Sequence, residues 1–141
     1  MVKKSSYKKK VIKIHVLLLS ILALCVFNSD ARAAFYIDVT NGNDGNAGTI
    51  DAPWKTIGKA NSDLNPGDIV YLRTGTYRQT IQPAKSGAKG NYITYARYND
   101  EVVTITGVSN AVNLDNKNYI AIDGFRFIDV SGRWVSMIGA S

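Results

Sequence analysis

Residues 92–106 read YITYARYNDEVVTIT, two short runs of β-branched and aromatic residues separated by the turn-forming pair Asn99-Asp100. Runs of this kind, closed by Gly, Asn or Asp, are typical of short β-strands. They recur through the second half of the chain, as IVYL (69–72), YITYA (92–96), VVTIT (102–106), AVNL (111–114), YIAI (119–122), FRFI (125–128) and WVSMI (134–138). No second helical pattern lies among them, so we predict an all-β region.

The spacing of these runs favours a solenoid. Ile69, Ile93 and Ile120 lie at the start of loosely matching runs, at two similar intervals that are both within the range of repeat lengths typical of stacked coils. The alternative is a sandwich of hairpins, but the linkers lack two-residue Asn-Gly or Asp-Gly turns except at Asp123-Gly124. Asparagines also crowd residues 113–118, and in stacked coils such residues can form ladders along the axis.

Upstream of these runs the pattern changes. FYIDV (35–39) alternates apolar and polar residues and predicts one strand, and TNGNDGNAGT (40–49) predicts a compact loop. Asp51 then offers a helix N-cap shortly before Pro53. Helical spacing follows, at Trp54, Ile57, Ala60, Asn61 and Leu64. We predict one short amphipathic helix that is ended by the Pro66-Gly67 turn.

The N-terminal segment 1–33 has the order of a secretory signal peptide. Residues 1–15 are polar and basic, residues 16–27 (VLLLSILALCVF) are apolar, and Ala31-Arg32-Ala33 offers small residues for cleavage after Ala33. Twelve apolar residues fall short of the roughly 20 that span a bilayer. We therefore expect a secreted protein with no membrane segment after cleavage. The only cysteine, Cys25, leaves with the signal peptide, so no disulfide is expected.

The net charge of +6 is concentrated in this leader. Seven of the 17 cations and one of the 11 anions lie in residues 1–33, so residues 34–141 are neutral. A neutral body gives no reason to expect a nucleic acid partner.

Three segments together carry a resemblance to a known family. They are FYIDVTNGNDGNAGTIDAPWKTIGKAN (35–61), LNPGDIVYLRTGTYR (64–78) and SGAKGNYITYARYNDEVVTITG (86–107). They resemble the N-terminal part of secreted proteins of the pectate-lyase-like superfamily, closest to family-nine pectate lyases and to alginate and chondroitin lyases. The resemblance runs from about Phe35 to Phe127. It is much more specific for the fold than for the activity, because the same opening occurs on hydrolases, epimerases and non-catalytic surface proteins.

The resemblance implies a right-handed parallel β-helix with a short N-terminal capping α-helix. We expect residues 34–67 to supply the strand, loop and capping helix, and residues 68–141 to form about three coils. Trp54 and its helix would cover apolar side chains and strand edges at the open end of the stack. Since three coils are the minimum for a continuous core and no polar cap ends the chain, we expect residues 68–141 to be a truncated β-helix.

For function, the resemblance implies a secreted carbohydrate-active protein whose partner is a polysaccharide. The leading hypothesis is the N-terminal portion of a polysaccharide lyase that cleaves uronic-acid polymers by β-elimination, monomeric at full length. In such lyases calcium neutralises the substrate carboxylate and an unprotonated Lys or Arg removes the C5 proton. The family places both on middle coils downstream of this opening, so no catalytic residue is assigned here. The alternative is a non-catalytic β-helix, an adhesin or glycan-binding module.

Two sets of residues are candidate binding positions. Hard oxygen atoms suited to Ca²⁺ lie on Asp38, Asn41, Asn43 and Asp44, although the EF-hand pattern does not fit and a self-bonded turn is the alternative. Guanidinium groups and a ring that suit a polyanionic sugar lie on Arg126, Arg133 and Trp134, although each also suits a solvated strand face. The only histidine, His15, lies in the leader, so no Ser-His-Asp or zinc site is expected after cleavage.

Overall fold

The computed structural model describes residues 32–136, which form nine short strands and one helix. The leader predicted for residues 1–33 lies almost entirely outside this range. The elements are β1 (Ala34–Ile37), α1 (Ile57–Asp63), β2 (Ile69–Leu72), β3 (Gly75–Tyr77), β4 (Ile93–Arg97), β5 (Val103–Thr106), β6 (Val112–Asn113), β7 (Ile120–Asp123), β8 (Phe125–Ile128) and β9 (Val135–Ser136). No helix within the described range is long and apolar enough to cross a membrane.

The strands form three sheets in which every pairing is parallel. The first sheet has the order β1-β2-β4-β7, the second β3-β5-β8 and the third β6-β9. The chain visits the sheets in that order and returns, which is the path of a parallel β-helix and not of a sandwich of hairpins. Gly124, with φ +80°, turns the corner from β7 in the first sheet to β8 in the second, so Asp123-Gly124 is not a hairpin.

The predicted strands are confirmed with small shifts. Ile93 pairs with Ile120 as the spacing predicts, but Ile69 pairs with Thr94 instead of Ile93, one residue further along. The sequence did not predict β3, because Gly75 is a poor strand residue. Glycine is required there: a Cβ on Gly75 would lie 2.5 Å from Val39 Cγ1. Residues 137–138 of the last predicted run lie outside the described residues.

The core lies between the sheets and is built by alternation along the strands. Inward side chains of consecutive strands are fully buried, as in Val70 and Leu72 of β2, Ile93 and Tyr95 of β4, and Val103 and Ile105 of β5. Each such apolar side chain contributes roughly 1.5–3 kcal/mol on burial. The parallel register stacks several of these residues on apolar partners: Val70 pairs with Tyr95 and Ile93 with Ile120 in the first sheet, and Val103 pairs with Phe125 and Ile105 with Phe127 in the second.

The helix begins later than the sequence predicted. Its N-cap is Thr56, whose Oγ1 accepts a hydrogen bond from the Lys59 amide at 3.0 Å, and not Asp51. Trp54 lies outside the helix in a parallel bridge with Ile37. Its amide donates to the Tyr36 carbonyl and its carbonyl accepts from the Asp38 amide, both at 2.9 Å. A backbone paired in this extended form cannot also begin a helix.

Trp54 nevertheless joins the helix in the core. Its ring is 3% exposed and stacks on Phe35 at a centroid distance of 4.5 Å. Gly48, with φ +80°, allows the loop to pass over this ring, since a Cβ there would lie 2.6 Å from Trp54 Cε2. Ile57, on the buried side of α1, is completely buried in the same core. The apolar side of the helix therefore packs against the interior of the parallel sheets.

Candidate functional site

Asp38, the first residue of the predicted calcium cluster, is a turn residue in the structure. Its carboxylate accepts hydrogen bonds from the amides of Thr40 and Asn41 at 2.8 and 2.9 Å, and from Asn41 Nδ2 at 3.1 Å. Asn43 does the same on a smaller scale, because its Oδ1 accepts from the Gly45 amide at 2.8 Å. These bonds are the side-chain-to-backbone contacts of Asx turns.

Asp44 ties the loop to the start of α1. Its Oδ1 accepts from the amides of Lys55 and Thr56, each at 2.9 Å, and its Oδ2 accepts from Thr56 Oγ1 at 2.7 Å. Burial by itself raises the pKa of both Asp38 and Asp44. Hydrogen bonds to the ionised carboxylates outweigh that effect, so the pKa of each is lowered.

These contacts bear on whether the cluster suits a metal ion. The carboxylate oxygens already receive donors from their own loop, and Asn41 turns its Nδ2 toward Asp38. Across residues 32–136 no three His, Cys, Asp or Glu side chains gather as a metal site requires. The fit to Ca²⁺ is therefore poor, and calcium binding at Asp38, Asn41, Asn43 and Asp44 stays a prediction without geometric support.

The predicted sugar-contacting residues lie on two different sheets. Arg126 projects outward from β8, pairs in register with Thr104 of β5, and is exposed. Arg133 and Trp134 precede β9, where the Arg133 amide donates to Asn110 Oδ1 at 3.0 Å. Trp134 is 64% exposed, the largest exposed fraction among the exposed large apolar side chains of the described residues. The structure thus places all three at the surface, with Arg126 on a separate sheet from the other two.

A third set of residues, which the sequence did not predict as a binding site, lines a groove of about 300 Å³. Its walls come from the last residue of β6 and from two segments that lead to the first sheet, one after Ile81 and one after β6. They contribute Gln82, Pro83, Ala84, Asn113, Asp115 and Lys117. We call this the connection groove. It combines amides, a carboxylate and an ammonium group on one concave surface, which suits hydroxyl-rich ligands such as sugars.

The parallel register assembles the connection groove. Ile81 bridges Val112, its amide donating to the Ala111 carbonyl at 3.0 Å and its carbonyl accepting from the Asn113 amide at 2.9 Å. Gln82 and Asn113 directly follow this bridged pair and therefore occupy equivalent places on adjacent coils. The sequence does not predict the groove, because its two walls are distant in the chain and only the Ile81–Val112 register brings them together.

A second groove, of about 270 Å³, lies beside the start of α1, and two of its polar side chains, Thr56 and Gln79, are used structurally. Gln79 Oε1 accepts from the Ile57 amide at 2.7 Å, and Thr56 Oγ1 bonds both Asp44 and Lys59. These side chains hold the beginning of the helix. The connection groove is therefore the better candidate site.

An aromatic cluster on the outer face of the first sheet is also occupied by internal contacts. Tyr36 and Tyr71 are paired in register with ring centroids 5.5 Å apart, and Tyr98 lies edge-on to both. The Arg73 guanidinium lies 5.2 Å from the Tyr98 ring centre and donates through Nε to both Glu101 oxygens, at 2.9 and 3.1 Å. This bond to Glu101 raises the pKa of Arg73. Arg73 is thus engaged within the protein.

Comparison with known proteins identifies the region as a whole. A family described as the Pel9A-like, right-handed β-helix region matches residues 35–140. An uncharacterised protein, YwoF, of Bacillus subtilis is 36% identical over 112 residues, covering 74% of this chain and 24% of that protein. Pectate lyase PEL9 of Emericella nidulans is 42% identical over 84 residues, covering 58% of this chain and 20% of that protein. The chain thus spans about a quarter or less of these relatives.

Among solved structures, a lacto-N-biosidase from Eubacterium ramulus superposes with a TM-score of 0.62 at 23% identity. The superposition covers 77% of this chain and 22% of that one. At this level of identity the similarity concerns the fold alone.

Proposed function

Because the chain belongs to the Pel9A-like right-handed β-helix family, we propose that it is the N-terminal portion of a secreted polysaccharide lyase that cleaves uronic-acid polymers by β-elimination. The observation that carries this proposal is the match of residues 35–140 to the family. The 42% identity to a protein named pectate lyase supports a uronate polymer as the substrate class. The signal-like order of residues 1–33 supports secretion.

In this proposal the described residues bind the polysaccharide but do not carry out the chemical step. Lys117 supplies a positive charge for a substrate carboxylate, and Gln82 and Asn113 supply amides for sugar hydroxyls along the connection groove. When bound elsewhere in the complete protein, calcium would supply charge neutralisation of the substrate carboxylate. No residue from 32 to 136 is assigned as the base, and no step is placed on the Asp38 loop.

The architecture proposed with this function is three coils closed at the N-terminal end by α1. Ile69 pairs with Thr94 and Ile93 with Ile120, so successive coils have similar lengths, within the range typical of stacked repeats. Leu64 at the end of α1 is 1% exposed, and Ala60 is completely buried. An amphipathic helix buried on the core side is what a cap requires.

The test is an assay of the full-length protein on polygalacturonate, alginate and chondroitin sulfate, with a neutral glucan as the control polymer. We expect absorbance from unsaturated uronide ends to rise on at least one acidic polymer, to stop on addition of a chelator and to return with calcium. Intact mass of the protein recovered from the medium tests secretion and cleavage after Ala33. Retention of residues 1–33 in that material would contradict the signal peptide.

A second candidate function is a non-catalytic glycan-binding module. It is favoured by the exposed Trp134 ring, which can stack on a sugar without any chemistry following. Binding to an acidic polymer without any rise in absorbance would support this function and contradict the lyase. Neither binding nor turnover on any polymer would contradict both.

A further inference from the structure

Two tyrosines form an exposed aromatic corner at the ends of the two segments whose earlier residues line the connection groove. Tyr92 and Tyr119 are 47% and 42% exposed, and their rings meet edge to face at 5.6 Å and 87°. They directly precede Ile93 and Ile120, which pair in register, so they occupy equivalent positions on adjacent coils. We call this pair the tyrosine corner. It differs from the other tyrosines with described ring contacts, all of which are at least half-buried.

The backbone at Tyr119 is held in an unusual conformation. Its φ is +57°, in the left-handed region that bulky side chains rarely adopt. The Ile93 amide donates to the Tyr119 carbonyl at 3.1 Å, and the Gly87 amide donates to the Asn118 carbonyl at 2.9 Å. The Asn118 amide in turn donates to Ser86 Oγ at 3.1 Å. Three hydrogen bonds to the neighbouring coil thus keep the Tyr119 ring at the surface beside Tyr92.

Two lysines lie close in sequence to the tyrosine corner, one on each of the adjacent coils. Ala88 and Asn91 exchange two hydrogen bonds of 2.9 Å, which places Lys89 at the tip of a tight turn immediately before Tyr92. Lys117, two residues before Tyr119, lines the connection groove. No acidic residue occurs from residue 69 to residue 99, although Asp68, whose carbonyl accepts from the Thr94 amide at 2.9 Å, lies on the coil adjacent to β4. A ligand that covers these rings therefore meets cations from both adjacent coils, although Asp115 lies further along the groove wall.

We propose that the tyrosine corner is a subsite for one anionic sugar residue of a polysaccharide that also occupies the connection groove. One ring would stack on the apolar face of the sugar, and the perpendicular ring would present its hydroxyl to the sugar's edge. Lys89 would attract the carboxylate. This inference rests on the proposed function. It adds the position on the protein at which the polysaccharide binds and the charge of the sugar residue bound there.

The experiment compares binding of an oligogalacturonate with binding of a neutral malto-oligosaccharide of equal length, by titration calorimetry on the purified full chain. The variants are Tyr92→Ala, Tyr119→Ala and Tyr119→Gly. Ile50→Ala is the matched control, since Ile50 is an exposed apolar side chain of similar exposure (43%) in the loop before the helix. Tyr119→Gly removes the ring but accommodates the left-handed backbone without strain, so it separates loss of binding from loss of stability.

We expect each tyrosine variant to bind oligogalacturonate about tenfold more weakly, the loss typical of a central aromatic contact. Ile50→Ala should bind as the unmodified chain does, and Tyr119→Gly should lose binding without a lower melting temperature. Unchanged binding by Tyr92→Ala and Tyr119→Gly, while the unmodified chain binds, would overturn this inference and leave the proposed function standing.

Other outcomes are equally decisive. If neither the unmodified chain nor the full-length protein assayed for the proposed function binds an acidic oligosaccharide, both the proposed function and the proposed subsite are wrong. If the neutral sugar binds as well as the acidic one, the assignment to an anionic sugar is wrong. If the variants alter self-association in sedimentation experiments and not sugar binding, the corner is an interface between two copies of the chain and the subsite is rejected.

Discussion

The tyrosines between the sheets and the tyrosines on the turns outside them have the same side chain but opposite surroundings, since the first are buried and the second are exposed. Tyr77 and Tyr95 are 2% and 0% exposed, whereas Tyr92 and Tyr119 are 47% and 42% exposed. The Tyr95 hydroxyl donates to Asn61 Oδ1 at 3.0 Å, and burial raises the pKa of both interior hydroxyls. Tyr92 and Tyr95 are only three residues apart. Register, and not residue type, decides which ring stabilises the core and which lies exposed at the surface.

The largest test of this contrast uses the two tryptophans. Trp54→Ala removes a ring that is 3% exposed and stacked on Phe35, so we expect a loss of about 3–5 kcal/mol in the free energy of unfolding. Trp134→Ala removes a ring that is 64% exposed and should change it by less than about 0.5 kcal/mol. Urea denaturation followed by circular dichroism measures both. Equal effects would contradict the contrast, and an unchanged Trp54→Ala protein would also contradict the proposed N-terminal cap.

A smaller effect is expected where the loop meets the helix. Asp44→Ala removes the acceptor for two amides and one hydroxyl, so we expect a loss of about 1–2 kcal/mol at neutral pH. The pKa of Asp44 is lowered in the folded protein. Its stabilising contribution is therefore complete above the ordinary value of 3.8 and is lost as the pH falls through the lower, folded value.

The pH dependence supplies the check on this prediction. Denaturation midpoints of the unmodified chain and of Asp44→Ala should differ at pH 7 and converge in acid. A difference that stays constant down to pH 2 would show that the carboxylate charge is not responsible. Asp38→Ala should behave in the same direction, since the pKa of Asp38 is lowered by similar hydrogen bonds.

Removing the hydroxyl of the buried Tyr95 should lower the free energy of unfolding by a smaller amount. Tyr95→Phe leaves the ring in place and deletes its hydrogen bond to Asn61, which also accepts from the Gln82 amide at 3.1 Å. We expect a loss of about 1 kcal/mol. Tyr92→Phe, on the exposed side of the contrast, should leave the unfolding free energy unchanged. Thermal denaturation of the Tyr95→Phe and Tyr92→Phe variants measures both effects. Equal melting temperatures for the two variants would show that the Tyr95 hydroxyl does not stabilise the fold.

The smallest expected effect has the opposite sign. Tyr119→Gly relieves a left-handed backbone that costs roughly 1–2 kcal/mol for a side chain with a Cβ, partly offset by about 0.5–1 kcal/mol from the greater freedom of glycine in the unfolded chain. We expect unchanged stability or a gain of up to about 1 kcal/mol. Tyr92→Gly gains no such relief and should destabilise. A loss of stability in Tyr119→Gly as large as in Tyr92→Gly would contradict the strain at Tyr119.

Much of the fold was predictable from sequence because the apolar runs are regular. IVYL at 69–72 and FRFI at 125–128 match β2 and β8, and the parallel stacking follows from the spacing of the runs. The helix start was predicted too early, because Trp54 has helical spacing but its backbone is paired with β1. Propensity alone cannot reveal such a tertiary hydrogen bond.

The candidate site was much less predictable. Gln82 carries no local signal, Asn113 was noted only as one of the asparagines at 113–118, and the 81–112 register that brings them together is a property of the whole stack. The exposure of Tyr92 and the burial of Tyr95 depend on where β4 begins, which sequence patterns place only within a few residues. The surface positions of Arg126, Arg133 and Trp134 agree with a binding role but do not test it.

The connections that form the groove differ in length. Residues 82–92 lead from the Ile81 bridge to β4, whereas only residues 114–119 lead from β6 to β7, and yet β4 and β7 remain in register. Chain length can therefore vary in this connection without disturbing the ladder, as loops generally allow. Such a scaffold can diversify its specificity coil by coil: insertions and deletions would reshape what the surface recognises while natural selection keeps the stacked interior unchanged.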